Sequence, residues 1–182
     1  HPLLMSKLRD CKFHMEQPED VKEFVSGKKD GKLNKVMRMT GCLITIAPHH
    51  EWSITVTLQG HTVKETMEGF QLLHEELPAH LSFYVPEPHH KRIIGHGGKN
   101  IQKIMKTYGV YVKFLNSEEV RLQYGNRNSV VTRECHPNVL VKTPAKNKAS
   151  LELMKQAILE LTGEKDYTPV DEAFDLMAWA HP

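Results

Sequence analysis

Apolar positions recur at helical spacing, break at a glycine cluster, resume, and then alternate in the segment KRIIGHGGKNIQKIMKTYGVYVKF, residues 91–114. Ile93 and Ile94 end the first run, and Gly95-His96-Gly97-Gly98 interrupts it. Ile101, Ile104 and Met105 follow Lys99 at intervals of three and four, the period of one buried helical face. Gly109 stops that helix, after which Val110, Val112 and Phe114 alternate with Tyr111 and Lys113 as in a half-buried strand. The segment predicts helix, glycine turn, helix, strand.

The same pattern occurs twice. A shift of 68 places lays Gly27 on Gly95, Leu33 on Ile101, Val36 on Ile104, Met37 on Met105 and Gly41 on Gly109 without a gap. The first copy reads as a strand at 12–17, a helix from Glu19, the turn Gly27-Lys28-Lys29-Asp30-Gly31, a helix to Thr40, and a strand at 42–47. Trp52, Ile54, Val56 and Leu58 then alternate with small polar residues, and a helix carries Val63, Met67, Phe70, Leu73 and Leu77 on its apolar face. The second copy repeats this with strands at 81–85, 110–115 and 139–142 and a last helix at 145–162, faced by Leu151, Met154, Ala157, Ile158 and Leu161. Between its last two strands lies an insertion, 116–137, carrying Arg121, Tyr124, Arg127, Arg133 and His136.

Charge narrows the partners. The 182 residues carry a net charge of only +2, so affinity for an anionic polymer must come from local patches. One such patch surrounds the second turn, where Lys91, Arg92, Lys99, Lys103, Lys106 and Lys113 face only Glu87. Three glycines in four residues permit a sharp turn and a close backbone approach, and the next helix aims its free amides and positive dipole end at that turn. An anionic polymer is the expected guest. Mean hydropathy of −0.46 and the lack of a long apolar run argue against a membrane span. Cys11, Cys42 and Cys135 are too few and too scattered for a disulfide framework, which points to a reduced, intracellular setting. An opening on His1 reads as an excerpt of a longer protein.

Competing glycine-loop chemistries fail on spacing. A phosphate-cradling G-x-x-x-x-G-K-[ST] loop is absent, and a dinucleotide fingerprint would need glycine at Asn100. Ile93-Ile94-Gly95-His96-Gly97-Gly98-Lys99-Asn100-Ile101, with Ile104 three residues on, resembles the I-I-G-x-x-G-x-x-I-x-x-I signature of KH domains. The bland alternative is that these glycines merely let two helices pack.

The resemblance implies an α+β chain of two type I KH domains, β-α-α-β-β-α, each a three-stranded antiparallel sheet covered on one face by three helices. On this reading residues 1–79 are a degenerate KH domain with a GKKDG loop, 80–163 a KH domain with an intact GHGG loop and a long variable loop at 116–137, and 164–182 an extension. It further implies that Gly95, His96, Gly97 and Gly98 admit the backbone of single-stranded RNA, with charge from Lys91, Arg92 and Lys99. Ile94, Ile101 and Val112 would floor the base groove, and Lys113 would reach base edges. In the first copy Asp30 replaces the second glycine, putting a carboxylate at the phosphate position. Either that loop is one residue longer and clamps RNA weakly through Lys28, Lys29 and Lys32, or this copy is a scaffold for protein contact; the carboxylate favours weakened or absent RNA contact.

Pro78 in the short connection between copies predicts a rigid tandem pair. In the extension, Val170, Phe174, Met177 and Ala178 at helical spacing predict a short amphipathic helix that folds back or binds a protein. The insertion's arginines and aromatic rings would fold over RNA or form a solvated loop. His49-His50 and His89-His90 lack the accompanying spacing of a metal site, although His89, His90 and His96 flank the turn and would meet phosphate or base. No nucleophile with an adjacent base stands out, so neither enzyme activity nor a cofactor is expected. By analogy with vigilin and Bicaudal-C, which repeat KH units, the parent protein would act on messenger RNA post-transcriptionally in the cytoplasm, with a nuclear location as the alternative. The rival functions are a protein-assembly module built on KH folds and single-stranded DNA binding.

Overall fold

The computed structural model describes residues 11–125 and 136–163. Two compact units emerge, His1–Pro78 with Pro144–Lys146, and Ala79–Thr143 with Asn147–Pro182. The helix expected at 164–182, with Val170, Phe174, Met177 and Ala178, lies outside the described residues, as do Arg127, Arg133 and Cys135 of the insertion.

In the first unit the elements run β1 (Cys11–Pro18), α1 (Val21–Ser26), α2 (Gly31–Thr40), β2 (Leu43–His50), β3 (Ser53–Gly60) and α3 (Val63–Glu76), with a single 3-10 turn at Lys28–Asp30 between the first two helices. β3 is the central strand, antiparallel to both neighbours, with Leu58 opposite Phe13 of β1 and Ile44 of β2. Its period-two pattern explains that position. Ile54, Val56 and Leu58 are buried while the alternate threonines and Gln59 are half-buried, so one face of the strand enters the core. Val25 and Leu73, each 1% exposed, complete that core from the helices. Burying a leucine of that kind contributes about 1.5–3 kcal/mol.

Two expectations for this unit need correction. Trp52 lies in the turn before β3 and is exposed, because the strand starts at Ser53. The inner face of α3 consists of Thr66, Gly69 and Leu73, whereas Val63 and Met67 point outward. Small residues decide the facing: the Cys42 thiol reaches the Glu65 carbonyl at 3.1 Å, and that close approach of helix to sheet has no room for longer side chains.

The second unit comprises β4 (Pro78–Phe83), α4 (Glu87–Ile94), a 3-10 turn at His96–Gly98, α5 (Lys99–Tyr108), β5 (Tyr111–Phe114), α6 (Ser117–Tyr124), β6 (Val139–Pro144) and α7 (Ala149–Thr162). Its sheet order, β4-β6-β5, repeats the first, and β5 pairs antiparallel with β6. Phe83, Ile93, Val139, Val141, Met154 and Ile158 are buried at its centre. Leu161, expected on the inner face of α7, is exposed, and Leu159 is buried instead. The insertion opens as a helix. Asn116 caps α6 by accepting from the Glu119 amide at 2.8 Å while the Glu119 carboxylate takes the Asn116 amide at 3.2 Å, a reciprocal capping box.

Two buried polar side chains close the start of this unit. Asn138 hydrogen-bonds both backbone groups of Val85, accepting from its N–H at 2.9 Å and donating to its carbonyl at 2.7 Å. His90 Nε2 donates to the same carbonyl at 2.8 Å, and its ring meets Phe114 of β5 edge-on at 5.0 Å. Burial holds the His90 imidazole below its ordinary range, outweighing the Val85 carbonyl and Glu87, which favour the charged form. An unfolded histidine, titrating near pH 6.5, therefore binds its proton at a higher pH than the folded one, so stability falls as pH drops below that value. Urea unfolding at pH 7.5 and 5.5 is expected to show this loss, and His90→Gln, which keeps a donor toward Val85, is expected to flatten it.

Candidate nucleic-acid interface

The candidate site is built by a backbone reversal between two helices. α4 ends when the Gly95 amide donates to the Lys91 carbonyl at 3.0 Å, and the Gly98 amide then donates to the Gly95 carbonyl at 3.1 Å. Gly95, Gly97 and Gly98 have φ of 76°, 62° and 76°, and Lys99 returns to the right-handed region to start α5. The glycines serve two purposes. A Cβ on Gly95 would lie 2.7 Å from Asn100 Cγ, so there the need is steric as well as torsional. At Gly97 a Cβ would meet nothing within 4 Å, and at Gly98 its nearest neighbour would be Gln102 Nε2 at 3.8 Å. At those two positions glycine takes the left-handed turn without torsional cost, and Gly97 presents an open face. Packing of two helices does not explain them.

α5 starts without a side-chain cap, so its first-turn amides have no side-chain acceptor. His96, Gly97 and Lys99 are exposed beside them, and Lys91 is exposed on α4. The floor next to the turn follows from the His90–Phe114 contact. Ile94 lies one helical turn from His90 on the same side of α4, and Val112 lies two residues from Phe114 on the same side of β5. Both are half-buried and pack against the core, which leaves apolar surface between α4 and β5. Lys113 is exposed on the opposite side of β5 from Val112.

Three residues expected at the site also make contacts within the protein, and of these Arg92 remains exposed. Ile101 is only 8% exposed and supports the floor from within the core. Arg92 Nη2 donates to the Leu161 carbonyl at the carboxyl end of α7, 2.7 Å away, so its guanidinium ties two helices together. His90 is buried against Val85 and faces neither phosphate nor base.

The loop of the first unit has the same backbone. Gly27, Lys29 and Asp30 have φ of 70°, 53° and 56°, Gly31 enters α2, and the Asp30 amide donates to the Gly27 carbonyl at 3.3 Å. Every residue matches its partner 68 places on, so this loop is not one residue longer. Among the described residues, Lys29 and Asp30 are the non-glycine residues at positive φ, a placement that costs about 1–2 kcal/mol for each bulky side chain. The bracing is also repeated. Asn100 Nδ2 crosses Gly95 to the Arg92 carbonyl at 3.3 Å, and Lys32 Nζ crosses Gly27 to the Phe24 carbonyl at 3.2 Å. Lys32 further pairs with Glu76 at 3.2 Å and is thereby withdrawn from the RNA contacts expected of it, whereas Lys28 and Lys29 are exposed.

The sequence reading also missed the helical start of the insertion, although Asn116-x-x-Glu119 is a capping-box signature. Ser117 Oγ donates to Glu87 Oε2 at 2.9 Å, which fastens α6 to the first turn of α4. Arg121 is exposed on α6, and Tyr124 stacks on His136 with ring centroids 4.7 Å apart. Those rings pair with each other.

Comparison with known proteins gives the family of the two units. Residues 82–162 match the model of the YLL032C fourth KH domain-containing protein, and residues 6–69 match the YLL032C fifth KH domain-like model. The chain carries KH domains. It is 42% identical over 172 residues to the K homology domain-containing protein 4 of Mycosarcoma maydis, and 34% identical over 160 residues to the KH domain-containing protein YLL032C of Saccharomyces cerevisiae. These matches cover 94% and 87% of this chain but only 12% and 19% of the two relatives. Among solved structures, a chain of the a/eIF2alpha-aDim2p-rRNA complex from Pyrococcus horikoshii OT3 aligns over 92% of both chains at 15% identity, with a TM-score of 0.39.

Because a Cβ at Gly98 would make only ordinary contacts, with Gln102 Nε2 at 3.8 Å and Ile101 Cγ2 at 4.0 Å, substitution there isolates the torsional cost. Gly98→Ala is expected to destabilise the second unit by about 1–2 kcal/mol in urea unfolding, without any steric clash to relieve.

Proposed function

We propose that the chain binds single-stranded RNA through the second unit, in the manner of a type I KH domain. The observation that carries this reading is the open glycine turn, with left-handed Gly97 facing free space and left-handed Gly98 next to it at the uncapped start of α5. A sugar-phosphate backbone passing over it would meet amides and no Cβ, with Lys91, His96 and Lys99 supplying charge. Bases would then lie over Ile94 and Val112, while Lys113 at the strand margin contacts the chain as it leaves. The element order and the repeated sheet order favour the type I assignment. No catalytic role is proposed: the site offers shape, amides and cations. Action on messenger RNA in post-transcriptional control, in the cytoplasm, rests on the analogy with other proteins that repeat KH units.

A second reading has its own observation. On the outer side of α3, Met67 is 59% exposed beside Phe70, along a shallow groove also bordered by Lys64, Gln71 and His74. Phe70 meets Phe13 of β1 at 4.6 Å, and Phe13 is itself partly exposed. Such an apolar strip supports protein assembly. The two readings separate by salt. Phosphate contact makes log affinity fall with log salt, by about 0.7 for each contact on a single strand, whereas an apolar protein contact has no such slope.

His96→Asp combined with Gly97→Asp places two carboxylates on the open face. This variant is expected to abolish binding of short single-stranded RNA in a polarisation titration while the circular dichroism spectrum is retained. Unchanged affinity would reject the groove as the site, and a parallel titration with single-stranded DNA tests the choice of sugar.

A further inference from the structure

The first unit leaves an apolar stripe outside its own core. Val63, Met67, Phe70 and His74 recur at helical spacing along the outer side of α3, and Val63 and Met67 are exposed. The Phe70 ring reaches Phe13 of β1, which continues the stripe onto the sheet. β1 is an edge strand: among the described residues β3 alone pairs with it, so the backbone groups along its other side face outward. It is eight residues long, and Pro18, which has no N–H to donate, stands at its very end. Met15 packs against the core and Phe13 against α3, so these two lie on the helix side of the sheet, while Lys12, His14 and Glu16 are exposed on the other side. A long edge with a half-open apolar row is a template for one more strand.

We infer that β1 pairs antiparallel with β1 of a second copy of this chain, about a two-fold axis at His14. The inference rests on the assembly reading of the α3 strip and deepens it by naming the occupant. Lys12-Phe13-His14-Met15-Glu16 is complementary to itself under that reversal. Lys12 comes to lie opposite the partner's Glu16 and Phe13 opposite the partner's Met15, and the two-fold axis makes each pair occur twice. Charge selects the register. A centre at Phe13 sets Lys12 against the partner's His14, and a centre at Met15 sets it against the partner's Pro18, so the Lys–Glu pairs form in only one of the three. His14 at the axis is already drawn toward the middle of its own sheet, where its Nδ1 lies 3.0 Å from Thr57 Oγ1 of β3. Opposed residues of an antiparallel pair share a face, which puts the α3 helices of both copies on the same side of the joined sheet. Met67 and Phe70 then border the seam and shield the Phe13–Met15 pairs from water. A strand of another protein would find the same open backbone, but the match of charge and of apolar residues specifies this one.

The test is sedimentation equilibrium of the full 182-residue chain under reducing conditions across a concentration series, with circular dichroism to verify that each variant is folded. The unaltered chain is expected to form a dimer. Lys12→Glu sets glutamate against the partner's Glu16, and Glu16→Lys sets lysine against the partner's Lys12, so each variant alone is expected to weaken association about tenfold or more. An equal mixture of the two variants restores opposite charges at both pairs and is expected to recover the dimer as a heterodimer. Met67→Glu is expected to weaken association as well, through the stripe. A dimer that resists both charge changes and is lost in Met67→Glu would overturn the strand pairing and keep the assembly reading of the strip. A chain that stays monomeric throughout the series would overturn the inference, as would a dimer unchanged by all three substitutions.

Discussion

The constraint on which this architecture depends is the left-handed backbone between two helices. A right-handed helix that must reverse within three residues needs consecutive positive-φ positions, and side chains resist them. Gly95, Gly97 and Gly98 satisfy that need in the second unit. The reversal also determines what the surface offers. It ends α4, begins α5 without a cap, and leaves the intervening backbone bare at Gly97. The fold and the candidate site thus share one cause.

The first unit separates the shape of that turn from its composition. Its loop keeps the same dihedral pattern and the same brace across Gly27, although Lys29 and Asp30 replace two glycines. Surrounding structure must overcome the torsional cost, and the buried sides of α1 and α2, with Val25 and Leu33 in the core, hold the two helices at the required separation. Glycine at these two positions is therefore not necessary for the turn. Each loop then carries its own chemistry on a common backbone, apolar at Ile94 and polar at Ser26.

Much of this was legible in the residues. The repeat at 68 places correctly aligned the loops, the ends of α2 and α5 at Thr40 and Tyr108, and the starts of β2 and β5 at Leu43 and Tyr111. Positions such as Val56, Leu58, Leu73 and Met154 were expected in the core from period alone and are buried there. Periodicity failed where two apolar faces competed. On α3 it selected Val63 and Met67, but the close approach at Cys42 turned Thr66 and Gly69 inward, a choice made by the space between helix and sheet. Likewise α6 was overlooked because its polar sequence lacks a strong apolar face, and its capping box is the local signal that could have revealed it.

Local chemistry set the elements, their order and the glycine turn, because helical period, alternation and torsional preference act within a few neighbouring residues. Tertiary structure decided which contacts the basic residues make. Arg92 and Lys99 are both exposed basic residues beside the turn, yet Arg92 also donates to a carbonyl 69 residues away. Lys32 is drawn to Phe24 and Glu76, and Ser26 becomes a buried hydroxyl without a partner among the described residues. A side chain's partners depend on distances between segments remote in sequence, and those distances exist only once the cores have packed.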